Sequence, residues 1–259
     1  MLKLAYVFLK IGTLNEMAYR ANFWIQVFES FLGMATALGT VAIIFSQTPN
    51  LAGWQQSELI SLLGIYFMVL GAINFVIAPS LNKFMLDIVD GRLDFTLLKP
   101  RDSQLLVSIS EFRIWKIIDI AMGLVVFCFG LVATSRSIGP GETFMFAVSL
   151  LCAAVIIYSF WMVLATLAFW FIRIENITQI FWSMYIAGRW PVNIYPGWLK
   201  WILTLLVPVA FAVTVPAQAI AGKLATETLL FTVLLAIAFA VLSRRFWLFG
   251  IKFYSGASA

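Results

Sequence analysis

Histidine is absent from the 259 residues. That removes His-based triads, histidine proton relays and HExxH metal sites. Charge is scarce as well. Acidic and basic side chains together make up 11% of the chain, where a soluble domain carries about a quarter. So low a share excludes an ordinary soluble domain and a disordered chain alike. Cysteine occurs only as Cys128 and Cys152, each inside an apolar run. Two thiols are too few for a cysteine metal site, and each reads as a small buried hydrophobe. The sequence holds no GxxxxGK[ST] loop, so it does not bind ATP in the P-loop manner by itself, and no TVGYG filter.

What is present is hydrophobicity: 63% of the residues are apolar and 16% are aromatic. A bilayer is crossed by about 20 apolar residues, so roughly six or seven helices would nearly fill the chain. That leaves no room for a soluble domain of ordinary size. Apolar runs predict spans over Phe23 to Phe45, Leu59 to Ala78, Ile117 to Ala133, Phe144 to Ile172, Trp198 to Pro216 and Thr228 to Leu242. The fold class that follows is an all-α polytopic membrane protein with six transmembrane helices, one domain over 1–259. Ahead of the first span, Leu4, Val7, Ile11, Leu14 and Ala18 recur at helical spacing. Residues 1–20 therefore read as a helix lying in the membrane interface, with Lys3, Lys10 and Arg20 near headgroup phosphates.

With the N-terminus inside, 15 of the 17 basic residues fall on the inner side and only Arg136 and Lys223 outside. Arg189 and Lys200 are among those counted inside. This bias predicts a multi-pass protein with both termini cytoplasmic. It also accounts for the net charge of +5, which therefore reads as membrane topology, with lipids as partners and no nucleic acid.

Two segments stand out. In the longest charged stretch, Leu81, Phe84, Met85, Ile88 and Val89 form an apolar stripe, with Lys83, Asp87 and Asp90 off it. Gly91 fits a helix stop, and GRLDFTLLKP follows. A helix of this kind either docks a soluble partner or anchors the loop at the interface. The second segment, 173–216, is punctuated by Pro191, Pro196, Pro208 and Pro216, which predicts helices that start late, kink or break. Within the spans, Glu29 and Asp119 are the sparse acids, and Asp119 is placed to pair with Lys116. Asp87, Asp90, Asp94 and Asp102 lie along one loop, but spacing alone assembles no two-metal or phosphate site from them.

The runs DIVDGRLDFTLLKPRDSQ at 87–104, GRWPVNIYPGWLKWILTLLVPVAFAVTVPAQAIAG at 188–222 and RRFWLFGIKFYSGASA at 244–259 resemble the permease subunits of the ABC-2 type exporter superfamily. The likeness is to the six-span bacterial branch with no fused ATPase domain. It implies a permease of an ATP-driven exporter in the inner membrane, not itself an enzyme, with an amphipathic cargo such as a drug, antibiotic, peptide or lipid. The alternatives are a lipid or polysaccharide exporter subunit and a non-transporting membrane scaffold. The implied partners are two copies of a cytoplasmic ATPase and a second permease, identical or homologous. No cofactor is implied in this chain, with ATP and Mg2+ held by the ATPase. The resemblance places an ATPase-coupling loop at 81–104, with Phe84, Asp87, Asp90, Arg92, Asp94 and Lys99 as coupling residues. It also implies a re-entrant gate region on the outer face at 217–227. Glu29, Phe31, Met34, Phe67, Met68, Phe75 and Phe211 are the expected lining of a translocation path.

Overall fold

The computed structural model describes residues 7–10, 13, 20–134, 136–171, 179 and 182–254. These residues are overwhelmingly helical, and the one β feature among them is an isolated bridge between Leu51 and Trp54. The helices are α1 (Arg20–Gln47), α2 (Gln56–Ala72), α3 (Ala78–Val89), α4 (Asp94–Leu97), α5 (Ser103–Ser108), α6 (Ile117–Ala133), α7 (Pro140–Thr166), α8 (Gly197–Trp201), α9 (Val215–Ile220) and α10 (Thr226–Gly250). Among the described residues five helical runs are long and apolar enough to cross a membrane: Phe23–Gln47, Gln56–Val89, Ile114–Ala133, Pro140–Phe169 and Thr226–Phe253. A sixth crossing results if Gly197–Leu206 and Ala210–Ile220 count as one span. The expected helix at 1–20 lies largely outside the described residues, though 7–10 are helical.

The expected fifth span is not straight. Its two pieces meet at 81°, with Pro208 in the break. Proline has no amide for the helix ladder and its ring clashes with the preceding turn. The chain instead closes one turn with Val207 N–H donating to Ile202 O at 2.8 Å. This bend lies upstream of 217–227, which comprises the end of α9, a turn at Gly222 with φ +67 and the start of α10.

The second span runs on past its expected end. α2 passes through a π-turn, Ile73–Ile77, directly into α3, so the charged helix at 81–89 is the tail of a 34-residue helix. Pro79 explains the irregular turn. It has no N–H to offer the carbonyl of Phe75, four residues back. Arg113 N–H, arriving from the far side of the loop, donates to that carbonyl at 2.9 Å.

α2 and α6 pack at near backbone contact. A Cβ built on Gly64 would lie 2.6 Å from Phe127 Cα, one on Gly71 2.9 Å from Ile120 N, one on Gly123 2.6 Å from Met68 N, and one on Gly130 2.6 Å from Ser61 N. Four glycines along one seam let two membrane helices approach closely and gain dispersion contact, since lipid offers no hydrophobic drive between helices. The main core gathers around α2, α7 and the bent segment, while Cys152, Ile156, Phe211, Val215 and Ala236 form a smaller cluster. Both cysteines are free, Cys152 buried and Cys128 exposed.

Candidate functional site

The apolar stripe of α3 faces the bundle. Leu81 and Phe84 are buried, and the Phe84 ring meets Phe169 at 5.5 Å and Trp247 at 5.0 Å. Phe84 therefore presents no docking surface of its own. Val89 alone of the stripe is well exposed. As expected, Gly91 ends the helix, at φ +67. The chain turns back so that the amides of Arg92 and Leu93 donate to Asp87 O at 2.8 and 3.1 Å. Arg92 closes the turn from outside, with Nε 3.2 Å from the Asp87 carboxylate and Nη2 2.7 Å from that of Asp90. Three of the expected coupling residues thus hold the shape of one turn.

What this turn presents outward is apolar. Phe95 is 70% exposed and Leu98 82%, next to exposed Lys99 and Arg101. Asp94 is half-buried. Phe95 and Leu98 were not singled out by sequence. The available signal was a pair of large apolar residues inside a short polar loop flanked by basic residues.

The rest of the loop is fastened to the bundle. Asp102 caps α5 by accepting from Leu105 N–H at 3.2 Å. Its carboxylate is gripped by both terminal nitrogens of Arg244, on α10. The same guanidinium donates to Gln104 Oε1 at 2.9 Å. Tyr158, on α7, lies 2.7 Å from Ser108 Oγ and accepts from Gln104 Nε2 at 3.4 Å. Trp247 Nε1 donates to Ser103 Oγ at 3.2 Å. The hydrogen bond from Arg244 holds the Asp102 carboxyl below the usual carboxylate range. At the base of the loop Ser80 Oγ donates to Glu111 O at 2.8 Å and accepts from Glu111 N–H at 3.1 Å.

The expected path residues do not converge on one surface. Met34 and Phe67 are buried in the main core. Met68 lies against Gly123 in the α2–α6 seam. Phe75 packs on Phe112 at 5.5 Å near the charged end. Phe211 belongs to the smaller cluster and meets Phe231 at 5.9 Å. Glu29 and Phe31 are exposed on α1. That helix has three faces. Met34, Ala37 and Val41 are buried, whereas Trp24, Ile25, Phe28, Phe31, Leu32 and Ile43 form an exposed apolar face. Between them runs a narrow strip with Gln26, Glu29, Gly33, Thr36 and Thr40, spaced three or four residues apart. Asp119 is buried and paired with Lys116 at 3.4 Å, as its spacing predicted.

Arg189, counted on the inner side, packs against the second span. It ends the short helix Ile186–Arg189, half-buried, with Cζ 5.7 Å from the centre of the Tyr66 ring.

At the other end of the bundle, the two basic residues expected outside tie three loops together. Lys223 pairs with Glu58, donates to Gly53 O at 2.8 Å and lies 5.0 Å from the Trp54 ring centre. Arg136 pairs with Glu142 and donates to Ala221 O at 2.6 Å. Gly222, at φ +67, leaves its Cβ space to the Arg136 guanidinium. Gly222→Ala is expected to displace Arg136 and strain the turn, costing about 1 kcal/mol or more. A thermal melt of the purified protein checks this, and an unchanged midpoint would show that the clamp bears no load.

No curated protein and no solved structure matches the chain. A family model described as ABC-2 family transporter protein matches residues 31–258, taking in the glycine seam, the charged loop, the bent segment and the last span. The chain belongs to the ABC-2 family of membrane transport proteins.

Proposed function

We propose that this chain is the permease subunit of an ATP-driven exporter. It takes its energy from a separate cytoplasmic ATPase that docks on the loop around Phe95 and Leu98. The observation carrying this reading is the pair of exposed apolar side chains, 70% and 82% accessible, beside Lys99 and Arg101. At the charged, water-facing end of a membrane protein such a patch is what a protein partner covers. The polar turn below it, closed by Arg92 with Asp87 and Asp90, gives the patch a fixed shape. In this reading both termini and the 81–104 loop are cytoplasmic, two permeases face one another, and two ATPase copies each hold ATP and Mg2+. The cargo is amphipathic and leaves the cell. The polar strip of α1, between its bundle face and its apolar face, is the surface a second permease would cover. Polar side chains facing lipid are costly, so such a strip calls for protein or a water-filled path.

The test is co-expression with the ATP-binding subunit encoded nearest to the gene, followed by co-purification and ATP turnover. The double variant Phe95→Asp with Leu98→Asp is expected to lower ATPase recovery at least tenfold while the permease still elutes as a single species. Undiminished recovery of the ATPase on that variant would refute the docking surface. Failure of any ATPase to associate with the unmodified chain would refute the exporter reading.

A further inference from the structure

Arg189 is a half-buried cation with no counter-charge among the described residues. Tyr66, beneath it, is 1% exposed and lies ten residues into the Gln56–Val89 span. That is about 15 Å of helical rise, against a hydrocarbon core about 30 Å thick. Tyr66 also falls inside the apolar run Leu59 to Ala78, so the guanidinium lies beside a stretch long enough to span a membrane. It is held there by close packing: a Cβ on the adjacent Gly188 would lie 3.5 Å from the Tyr66 ring. Among the described residues Arg189 makes no ion pair, and its Nε is buried without a hydrogen-bond partner. Tyr185 stacks on Tyr66 at 5.4 Å and is itself 3% exposed. Its hydroxyl is likewise buried without a partner.

Two buried donors without a partner among the described residues, in one aromatic cluster beside a spanning helix, are expensive to maintain. Charged residues kept within spanning bundles mark ion or substrate sites. A guanidinium carries five donors in a planar fork that matches the oxygens of a phosphate, sulfate or carboxylate. A phenol hydroxyl adds one more. Asp119, buried in the same bundle, is already taken by Lys116.

We infer that Arg189, with Tyr66 and Tyr185, forms an oxyanion site within the bundle that recognises the anionic head of an amphipathic ligand. This rests on the transport reading, because it names the class of cargo, an anionic amphiphile. The aromatic rings around the cluster would hold the apolar part near the head.

The cluster carries its own reporter. Trp182 lies 6.3 Å from Tyr185 and 5.0 Å from Trp161. The full chain, purified in dodecyl maltoside without any ATPase, is titrated with dodecyl phosphate, dodecyltrimethylammonium and inorganic phosphate while tryptophan emission is followed. Dodecyl phosphate is expected to give a saturable change that disappears in Trp182→Phe, weakens at least tenfold in Arg189→Gln and is partly kept in Arg189→Lys. The cationic amphiphile is expected to give none. A saturable response to inorganic phosphate as well would assign the site to the oxyanion itself, whether free or on a headgroup. Equal affinity of a folded Arg189→Gln variant, or an equal response to the cationic amphiphile, overturns the site. If Arg189→Gln does not fold, Tyr185→Phe is expected to weaken binding severalfold, and unchanged affinity there overturns it too. No ATPase takes part, so loss of the coupling reading would leave this result standing.

Discussion

Replacing Gly64 with valine is expected to eliminate the folded protein. The Cβ would enter the space of the Phe127 backbone, 2.6 Å from its Cα. Backbone on a neighbouring span cannot rotate aside as a side-chain tip does. The two helices would have to separate, and the seam at Gly71, Gly123 and Gly130 would open with them. Overpacking of a well-packed interior costs about 1–3 kcal/mol when side chains can adjust. Here the obstruction is main chain, and opening the seam forfeits close contact along much of a span. The expected readout is loss of the monodisperse peak in size-exclusion chromatography of detergent extracts. Gly39→Val serves as the control, because nothing lies within 4 Å of a Cβ built there. A Gly64→Val protein that elutes and melts like the parent would disprove the seam.

The second large effect concerns the fastening of the loop. Arg244→Gln is expected to release residues 103–108 from the bundle, raising amide exchange there at least tenfold. Side-chain exposures of 42% for Arg244 and 31% for Asp102 mean that water screens the ion pair. Taken alone it contributes about 1 kcal/mol or less. Arg244 also donates to Gln104, however, and Gln104 leads on to Tyr158 and Ser108. Removing the guanidinium therefore unties several hydrogen bonds that order one another. Asp102→Asn is expected to act in the same direction, and the double variant to be no worse than the worse single. Strict additivity of the two would show that the groups act separately.

The sign of the pH effect follows from the lowered Asp102 pKa. A depressed carboxylate contributes its stabilisation above the unfolded value and loses it as pH falls through the folded one. Protection of 103–108 is therefore expected to be flat above about pH 4 and to decline below it.

Much of the chain was legible because its signals are local. Apolar runs marked the spans, and lysine and arginine picked out Arg136 and Lys223, which meet at one end of the bundle. The Lys116–Asp119 pair followed from helical spacing. Distant packing was not legible. Phe84 and Phe95 are the same residue type on the same loop. One is buried because Phe169 and Trp247 come to meet it, and the other stands in the open because nothing does. Periodicity sees the stripe but not what lies opposite. The place of Arg189 was hidden for a related reason. Loop order put it among the inner basic residues, but could not show that the short helix Ile186–Arg189 brings it over Tyr66. The path residues other than Glu29, chosen for being aromatic or sulfur-bearing, scatter because the same traits serve packing.

The hydrogen bond from Arg113 to the Phe75 carbonyl has a mechanical meaning. Together with the Ser80–Glu111 pair it closes the charged loop at its neck, so that the loop is a handle fixed at both roots. Below the neck, α2 and α6 are joined by the glycine seam. Because the close seam leaves neither helix room to slide past the other, a displacement of the handle is expected to move α2 and α6 together. The yielding surfaces are then the flanks of that pair. One meets α1. The other meets the bent segment, where Gly188 and Val209 pack beside Tyr66.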